Sequence, residues 1–124
     1  MYEIKVKAAF EAAHRIVGYP GKCDRLHGHN WTVEAAVCGE ELDALGMLID
    51  FNELKAALKE ILAELDHQYL NELPPFTQGT NPTAENIAQY IFTVLEEATC
   101  LGNNCRLAAV TVWESPDSCV TYRR

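Results

Sequence analysis

Two histidines separated by a single residue are the feature of this sequence that points most directly to chemistry. The segment His27-Gly28-His29 contains two of the chain's four histidines. Residues two apart in an extended strand project to the same face, so both imidazoles can reach one ion. Gly28 between them permits a close approach of other groups or an unusual backbone angle. The pair therefore predicts a metal site at the beginning of a strand.

A third histidine, His14, ends an alternating apolar segment upstream of this pair. If the two segments form a hairpin, His14 comes close to His27 and His29. Taken alone, His14 is better explained as a hydrogen-bonded core residue. The three together favour a set of zinc ligands, and a fourth position left open is the arrangement found in catalytic zinc sites.

Cys23 precedes His27 by four positions in a glycine-rich loop and allows two interpretations. As a fourth ligand, it would close a structural site of one cysteine and three histidines. As a base or nucleophile, it would act as a thiolate on a substrate beside the metal. The spacing does not decide between them. A chain with 48% hydrophobic residues needs no structural metal to fold, which slightly favours the catalytic interpretation.

The Asp66-His67 pair follows an amphipathic segment. Because adjacent side chains do not face each other on a helix, the pair is expected in a turn. An aspartate beside a histidine can orient the ring and support its charged form. Taken alone, a histidine that interacts favourably with the end of a helix dipole is the better explanation.

Glu114 continues the apolar phase of Val110 and Val112, so it is expected to emerge from an apolar face. A buried carboxylate needs a partner, and a ligand with paired N–H donors would supply one. A solvated strand end explains the residue equally well.

Hydrophobic periodicity predicts the elements that must position these residues. Alternation indicates strands, and spacings of three and four indicate helices, the first of them capped by Asp50. In order, the predicted elements are strand 2–14, loop 18–28, strand 29–38, helix 50–65, a helix from about Thr83 to Cys100, and strands 106–115 and 118–122. The order ββααββ indicates one α+β domain over residues 1–124 with an antiparallel sheet.

Composition and charge argue against several classes of function. A formal net charge of −8 disfavours nucleic acid and anionic membrane surfaces as partners. No apolar run approaches the roughly 18 residues of a membrane-spanning helix. The first residues lack the apolar core of a signal peptide. The chain is therefore expected in the cytoplasm, acting on a small molecule.

Taken together, the motifs resemble those of the 6-pyruvoyl-tetrahydropterin synthase family. The segment from Cys23 to His29 is similar to its C-x-x-x-H-G-H signature, with the spacing of the queuosine-pathway branch, the 6-carboxy-5,6,7,8-tetrahydropterin synthases. The resemblance covers essentially the whole chain, without departure at a motif position. The other matching segments are Phe10–His14, Leu65–His67, Asn81–Asn86 and Trp113–Ser115.

This resemblance implies the ββααββ tunnelling fold, with a four-stranded antiparallel sheet and two helices on one face. Three sheets are implied to join edge to edge into a barrel, and two trimers to stack as a hexamer. Such an assembly pairs the open sheet edges, which are otherwise an aggregation liability. Active sites in the family lie between subunits, so Cys23 and the Asp66-His67 pair are expected to meet across an interface.

The implied activity is a zinc-dependent carbon–carbon lyase reaction. It converts 7,8-dihydroneopterin triphosphate to 6-carboxy-5,6,7,8-tetrahydropterin, acetaldehyde and triphosphate. The implied roles are metal binding by His14, His27 and His29, proton transfer by Cys23, Asp66 and His67, and pterin binding by Glu114 with help from Thr83. Arg15, Lys22 and Arg25 either offset the triphosphate charge or are simply solvated.

Two rival functions stay open. The first is 6-pyruvoyl-tetrahydropterin synthase activity, which eliminates triphosphate without loss of carbon. The second is a non-catalytic, zinc-stabilised module in which Cys23 is the fourth ligand, a closed site that would unfold on metal removal.

Overall fold

Alternating apolar and polar residues produce the long strands, as predicted, and the computed structural model describes all residues from 1 to 124. On β1, for example, Val6 and Phe10 are buried while Lys5 and Lys7 are exposed. The elements are β1 (Tyr2–His14), β2 (His27–Gly39), α1 (Phe51–Ala63), β3 (Gln68–Tyr69), α2 (Ala84–Leu95), β4 (Arg106–Ser115) and β5 (Ser118–Tyr122).

The strands form one sheet in the order β3-β1-β2-β4-β5. β1, β2, β4 and β5 pair antiparallel, as predicted. The prediction of only four strands, all antiparallel, is wrong, because β3 pairs parallel with β1 at Ala12 and Ala13. Two residues are too few to produce a period-two pattern, so this strand leaves no periodic signal in the sequence.

α1 begins after its predicted cap, Asp50, and α2 begins next to Thr83, where its start was predicted. The side chains of Asp50 and Thr83 each accept a hydrogen bond from a backbone N–H in the first turn of the helix that follows. α2 ends at Leu95 rather than near Cys100. The chain continues there in turns, and Ala98 still packs against the core, which prolongs the apolar pattern beyond the helix.

The hydrophobic core lies between one face of the sheet and the two helices. α1 packs against β1, and α2 packs against β4 and β5. Trp31, Val33 and Val110 of the sheet are fully buried, as are Leu58 of α1 and Ile91 of α2. Neither helix combines the length and the apolar character needed to cross a membrane.

Gly39, at the end of β2, is in tight contact with a neighbouring turn. A Cβ atom there would lie 2.3 Å from the carbonyl oxygen of Asn104 and 2.7 Å from Cδ1 of Leu48. We therefore expect Gly39→Ala to lower the free energy of unfolding by about 2 kcal/mol through overpacking, as measured by urea unfolding.

Gly28→Ala is the matched control for this substitution. The nearest atom to its added Cβ would be the carbonyl oxygen of Ala12 at 3.7 Å, an ordinary contact. We expect its free energy of unfolding to stay within about 0.5 kcal/mol of the wild type. Equal unfolding midpoints for the two variants would contradict the close-contact explanation.

Candidate active site

The register of the β1–β2 hairpin brings the three predicted metal ligands together. His14 pairs with His27 across the ladder, and Ala12 pairs with His29. The centroids of the three imidazole rings lie 4.5, 4.9 and 5.1 Å apart. Their ligand atoms and a carboxylate oxygen of Glu114 all lie within 4.8 Å of one another. This group has the composition and spacing to hold a metal ion.

Backbone carbonyl groups orient two of the rings. Nδ1 of His14 lies 2.7 Å from the carbonyl oxygen of Pro82, and Nδ1 of His27 lies 2.7 Å from that of Arg25. A neutral imidazole that donates from Nδ1 keeps the lone pair of Nε2 free. Outer carbonyl partners of this kind are usual for histidines that bind metals. The contacts therefore favour Nε2 as the metal-directed atom of both rings.

The donor set fits a metal ion on two counts. The buried Nε2 atoms of His14 and His29 accept no hydrogen bond, and the group nearest to both is an oxygen of Glu114, itself an acceptor, within 3.3 Å. An unpaired buried polar atom costs about 1–3 kcal/mol, which a bound metal ion would remove. In addition, desolvation lowers the pKa of both His14 and His29. The rings therefore stay neutral to lower pH, and the neutral imidazole is the form that binds metal.

Trp31 forms an apolar wall beside this cluster. Its ring is fully buried, and its centroid lies 5.0 Å from that of His14 and 5.1 Å from that of His29. Its Nε1 donates to the carbonyl oxygen of Ala12 at 3.2 Å, which ties the indole to β1. The side chain therefore limits the movement of two ligand rings and excludes water from one side of the cluster.

Glu114 contacts two of the imidazoles, which its predicted role in pterin binding does not include. Its Oε1 lies 3.3 Å from Nε2 of His14 and 3.1 Å from Nε2 of His29. The residue sits at a register shift in the β4–β5 pairing, between Trp113 and Ser115. Such bulges redirect side chains. Sequence reasoning predicted that Glu114 would emerge from the apolar face but did not predict its contact with the imidazoles.

Cys23 does not join this group of ligand atoms. It lies half-buried in a single 3₁₀ turn, Lys22–Asp24, within the loop that connects β1 to β2. The carboxylate of Glu114, rather than the thiol, stands with the three imidazoles. This arrangement favours the interpretation of Cys23 as a catalytic group over its interpretation as a fourth ligand.

Asp66 and His67 form an exposed pair in a turn after α1, where the sequence predicts one. Nδ1 of His67 lies 2.9 Å from Oδ2 of Asp66, and the backbone N–H of Glu11 donates to Oδ1 of Asp66 at 2.8 Å. His67 has a φ of 58°, which is uncommon outside glycine. Its N–H donates to the carbonyl oxygen of Glu11 at 2.6 Å, which helps to hold this conformation.

His67 opens into a surface groove that His29 also borders. A wide groove along the sheet edge is lined by His67 and by His29, together with Glu11, Gly28 and Tyr69. The side chain of His67 is 73% exposed, so its ring is open to a molecule in this groove. Of the three imidazoles and Glu114, His29 is the one that borders this groove, so the groove does not by itself place His67 beside the whole cluster.

The contact between Asp66 and His67 shifts the pKa of both side chains. The hydrogen bond and charge of Asp66 raise the pKa of His67, while the N–H of Glu11, followed by His67, lowers the pKa of Asp66. His67 therefore keeps its proton to higher pH than an isolated histidine, which suits it to act as a general acid.

Asp66→Asn is expected to lower the pKa of His67 towards the ordinary histidine value, because the anionic acceptor is lost. The titration of the ring C–H signals by NMR measures this change. Glu11→Gln is the matched control and should cause a smaller decrease, because Glu11 is the weakest of the contributions to this pKa. An unchanged His67 titration in Asp66→Asn would contradict the assignment.

The remaining predicted site residues have structural partners. Oγ1 of Thr83 accepts the N-capping hydrogen bond of α2 from the N–H of Asn86 at 3.1 Å, so its hydroxyl proton and one lone pair are free for a ligand. The guanidinium of Arg15 binds Asp24, with Nη2 to Oδ1 at 2.7 Å. Arg15 is therefore already paired, which argues against a main role in offsetting triphosphate charge.

Comparison with known proteins gives consistent matches along the chain. A family model described as 6-pyruvoyl tetrahydropterin synthase matches residues 3–124. A protein of Synechocystis sp. named 6-carboxy-5,6,7,8-tetrahydropterin synthase is 39% identical over 98% of this chain and 93% of its own. A Bacillus subtilis protein of the same name is 35% identical over 98% of this chain and 85% of its own.

A solved structure is also similar to this one. The structure of Caenorhabditis elegans 6-pyruvoyl tetrahydropterin synthase has a TM-score of 0.86 and 29% sequence identity. The similarity covers 99% of this chain and 95% of that one. The arrangement of the strands and helices is therefore that of a solved synthase.

Proposed function

The chain belongs to the 6-pyruvoyl tetrahydropterin synthase family, and we propose that it is a zinc-dependent lyase of the queuosine pathway. The family resemblance found in the sequence is confirmed, and so is the prediction of an enzyme, because the relatives are named as synthases. The proposed reaction converts 7,8-dihydroneopterin triphosphate and water to 6-carboxy-5,6,7,8-tetrahydropterin, acetaldehyde and triphosphate. The observation that carries the proposal is the group of three imidazoles and one carboxylate within 4.8 Å, in a chain whose relatives are named for that pterin.

We propose that His14, His27 and His29 hold the zinc ion. Three imidazoles suit zinc better than magnesium or calcium, which prefer oxygen ligands. When bound, zinc would polarise oxygen atoms of the substrate side chain and stabilise negative charge that develops on them. The buried ring of His14 and the indole of Trp31 keep water away from one side of the cluster, which strengthens such electrostatic effects.

The proton transfers are assigned to Cys23 and His67. The thiolate of Cys23 accepts the proton from the side-chain carbon of the substrate. His67 donates and accepts protons during tautomerisation and carbon–carbon cleavage, and Asp66 orients its ring and supports its charged form. The short contact between Asp66 and His67 and the open exposure of the ring support this assignment.

Glu114 and Thr83 remain the proposed pterin contacts. The carboxylate of Glu114 would accept from the 2-amino group and the ring N–H of the pterin, a pair of donors that matches its two oxygens. Its contacts with His14 and His29 support a pterin position next to the metal ligands. The hydroxyl proton of Thr83 would add one donor to the same ligand.

We further propose one domain over residues 1–124 that works in the cytoplasm as a dimer of trimers. β3 covers β1 only at Ala12 and Ala13, so most of that edge is open, as is the outer edge of β5. Pairing of these edges between copies would remove exposed backbone donors and acceptors. The exposed His67 would then complete a site together with a neighbouring subunit.

Incubation of the zinc-loaded protein with 7,8-dihydroneopterin triphosphate tests the proposed reaction. Acetaldehyde is assayed by a coupled reductase and the pterin product by mass spectrometry. We expect acetaldehyde and a 6-carboxy pterin in equal amounts. A 6-pyruvoyl product without acetaldehyde would assign the sister activity, which the C. elegans structural match favours. No turnover by a folded, zinc-loaded sample would favour the binding module.

A further inference from the structure

We propose that Arg15, Asn71 and Asn81 are positioning residues that hold the loop carrying Cys23 in a fixed place relative to the metal ligand His14. The inference rests on the proposed function of Cys23 as the base. The three side chains act through the loop, since their hydrogen bonds are made with its backbone and with Asp24.

The loop, residues 15–26, has no hydrophobic anchor. None of its residues is buried. Ile16 is half-buried, and the other large apolar residues of the loop are exposed, Val17 by 55%, Tyr19 by 50% and Leu26 by 65%. A segment with few buried apolar contacts opens easily. A base must stay within about an ångström of its productive position. Because apolar packing does not hold this loop in place, polar contacts have to do so.

Two asparagine amides each bind one loop residue through both of its backbone groups. Oδ1 of Asn71 accepts from the N–H of Arg15 at 2.9 Å, and Nδ2 donates to the carbonyl of Arg15 at 3.0 Å. Asn81 makes the same two contacts with Val17, at 3.0 and 3.1 Å. Each amide therefore imitates a neighbouring strand and extends the hydrogen-bonding of β1 past His14.

One of these asparagines also connects the loop to the metal ligand. Asn81 is followed by Pro82, whose carbonyl oxygen lies 2.7 Å from Nδ1 of His14. The carbonyl of Asn81 accepts from Nδ2 of Asn86 at 2.9 Å, in the first turn of α2. The same short segment therefore fixes both a ligand ring and the beginning of the Cys23 loop against a helix.

Arg15 binds Asp24, the residue that follows Cys23, at two points. Its Nε donates to the carbonyl oxygen of Asp24 at 2.9 Å, and its Nη2 donates to the carboxylate of Asp24 at 2.7 Å. The N–H of Ile16 donates to the carbonyl of Cys23 at 2.7 Å. The Arg15 side chain is 41% exposed, and exposed ion pairs contribute little to stability. Binding Asp24 at two points requires the planar guanidinium of arginine. These contacts are therefore better explained by a role in positioning the loop than by a contribution to stability.

Arg15→Lys tests the inference, because lysine keeps the charge but cannot reproduce the fork. In the zinc-loaded protein we expect kcat to fall by about 10-fold to 100-fold, with KM unchanged within about 2-fold. Alkylation of Cys23 by iodoacetamide, followed by peptide mass spectrometry, should change at least about threefold in rate as the loop is released. Zinc content and Tm should match those of the wild type.

Arg106→Lys is the matched control, since Arg106 is an exposed arginine at the start of β4 and makes no ion pair, and it should leave every readout unchanged. Asn71→Asp, which keeps the acceptor and removes the donor, should move kcat and the alkylation rate of Cys23 in the same direction as Arg15→Lys.

Three results would overturn the inference. The first is wild-type kcat and alkylation in Arg15→Lys while Cys23→Ala is inactive, which rejects the positioning role and leaves the proposed function intact. The second is a loss of zinc or a lower Tm that accounts for the lost activity, which would make Arg15 a stability residue. The third is full turnover by Cys23→Ala. This result rejects the proposed function of Cys23 and with it the positioning role of Arg15, Asn71 and Asn81.

Discussion

His27→Ala is expected to abolish both zinc binding and turnover, because it removes one of the three imidazoles proposed to hold the zinc ion. We expect zinc content to fall from about one ion to below about 0.1 per chain and turnover to fall at least about a thousandfold. Metal analysis of the purified protein and the acetaldehyde assay measure the two effects. His27 is preferable to His14 for this test, because His14 is fully buried and its loss would leave a cavity.

His67→Ala is the control, since it removes the only histidine outside the cluster. It should keep its zinc while losing most turnover, which separates the metal role from the proton-transfer role. Full zinc content and normal turnover in His27→Ala would remove the cluster from the mechanism.

Cys23→Ala is expected to lower turnover by about a thousandfold, in the range typical of a missing general base, without loss of zinc. The second part follows from the structure, where the thiol does not belong to the group of ligand atoms. Zinc content and the rate of acetaldehyde release, measured on the same preparation, give the two numbers.

Cys119→Ala is the control for this second substitution, because Cys119 is an exposed cysteine on β5. It should behave as the wild type. If Cys23→Ala instead loses zinc together with activity, Cys23 is a ligand and the zinc-stabilised module becomes the better explanation. If it keeps full turnover, the base is another group.

The parts of the site that could be predicted from the sequence depend on local patterns. His27 and His29 are two residues apart, so one strand places them on the same face. The alternating segment that ends at His14 predicts a second strand, which pairs with the first as a hairpin. The final hairpin, Arg106–Ser115 and Ser118–Tyr122, also has the predicted bounds. Its turn residues and its alternation lie within one short window.

The parts that could not be predicted depend on distant contacts or on irregular backbone. Glu114 reaches the imidazoles from a register shift between strands, and a bulge leaves no periodic signal. The contact between Asp66 and the N–H of Glu11 spans 55 positions in the chain. Asn71 and Arg15 are 56 positions apart. A single sequence contains no record of such pairings, so the contact of Asn71 with the backbone of Arg15 could not be predicted from it.

The ladder pair between His14 and His27 fixes the positions of these two histidines independently of the length of the loop that connects them. His14 and His27 form the final pair of the ladder, next to the loop that connects the two strands. An insertion or deletion in that loop therefore leaves these two proposed metal ligands in place. Cys23 lies inside that loop and would be carried with it. A change in the length of this loop can therefore relocate the proposed base while the proposed metal ligands keep their place.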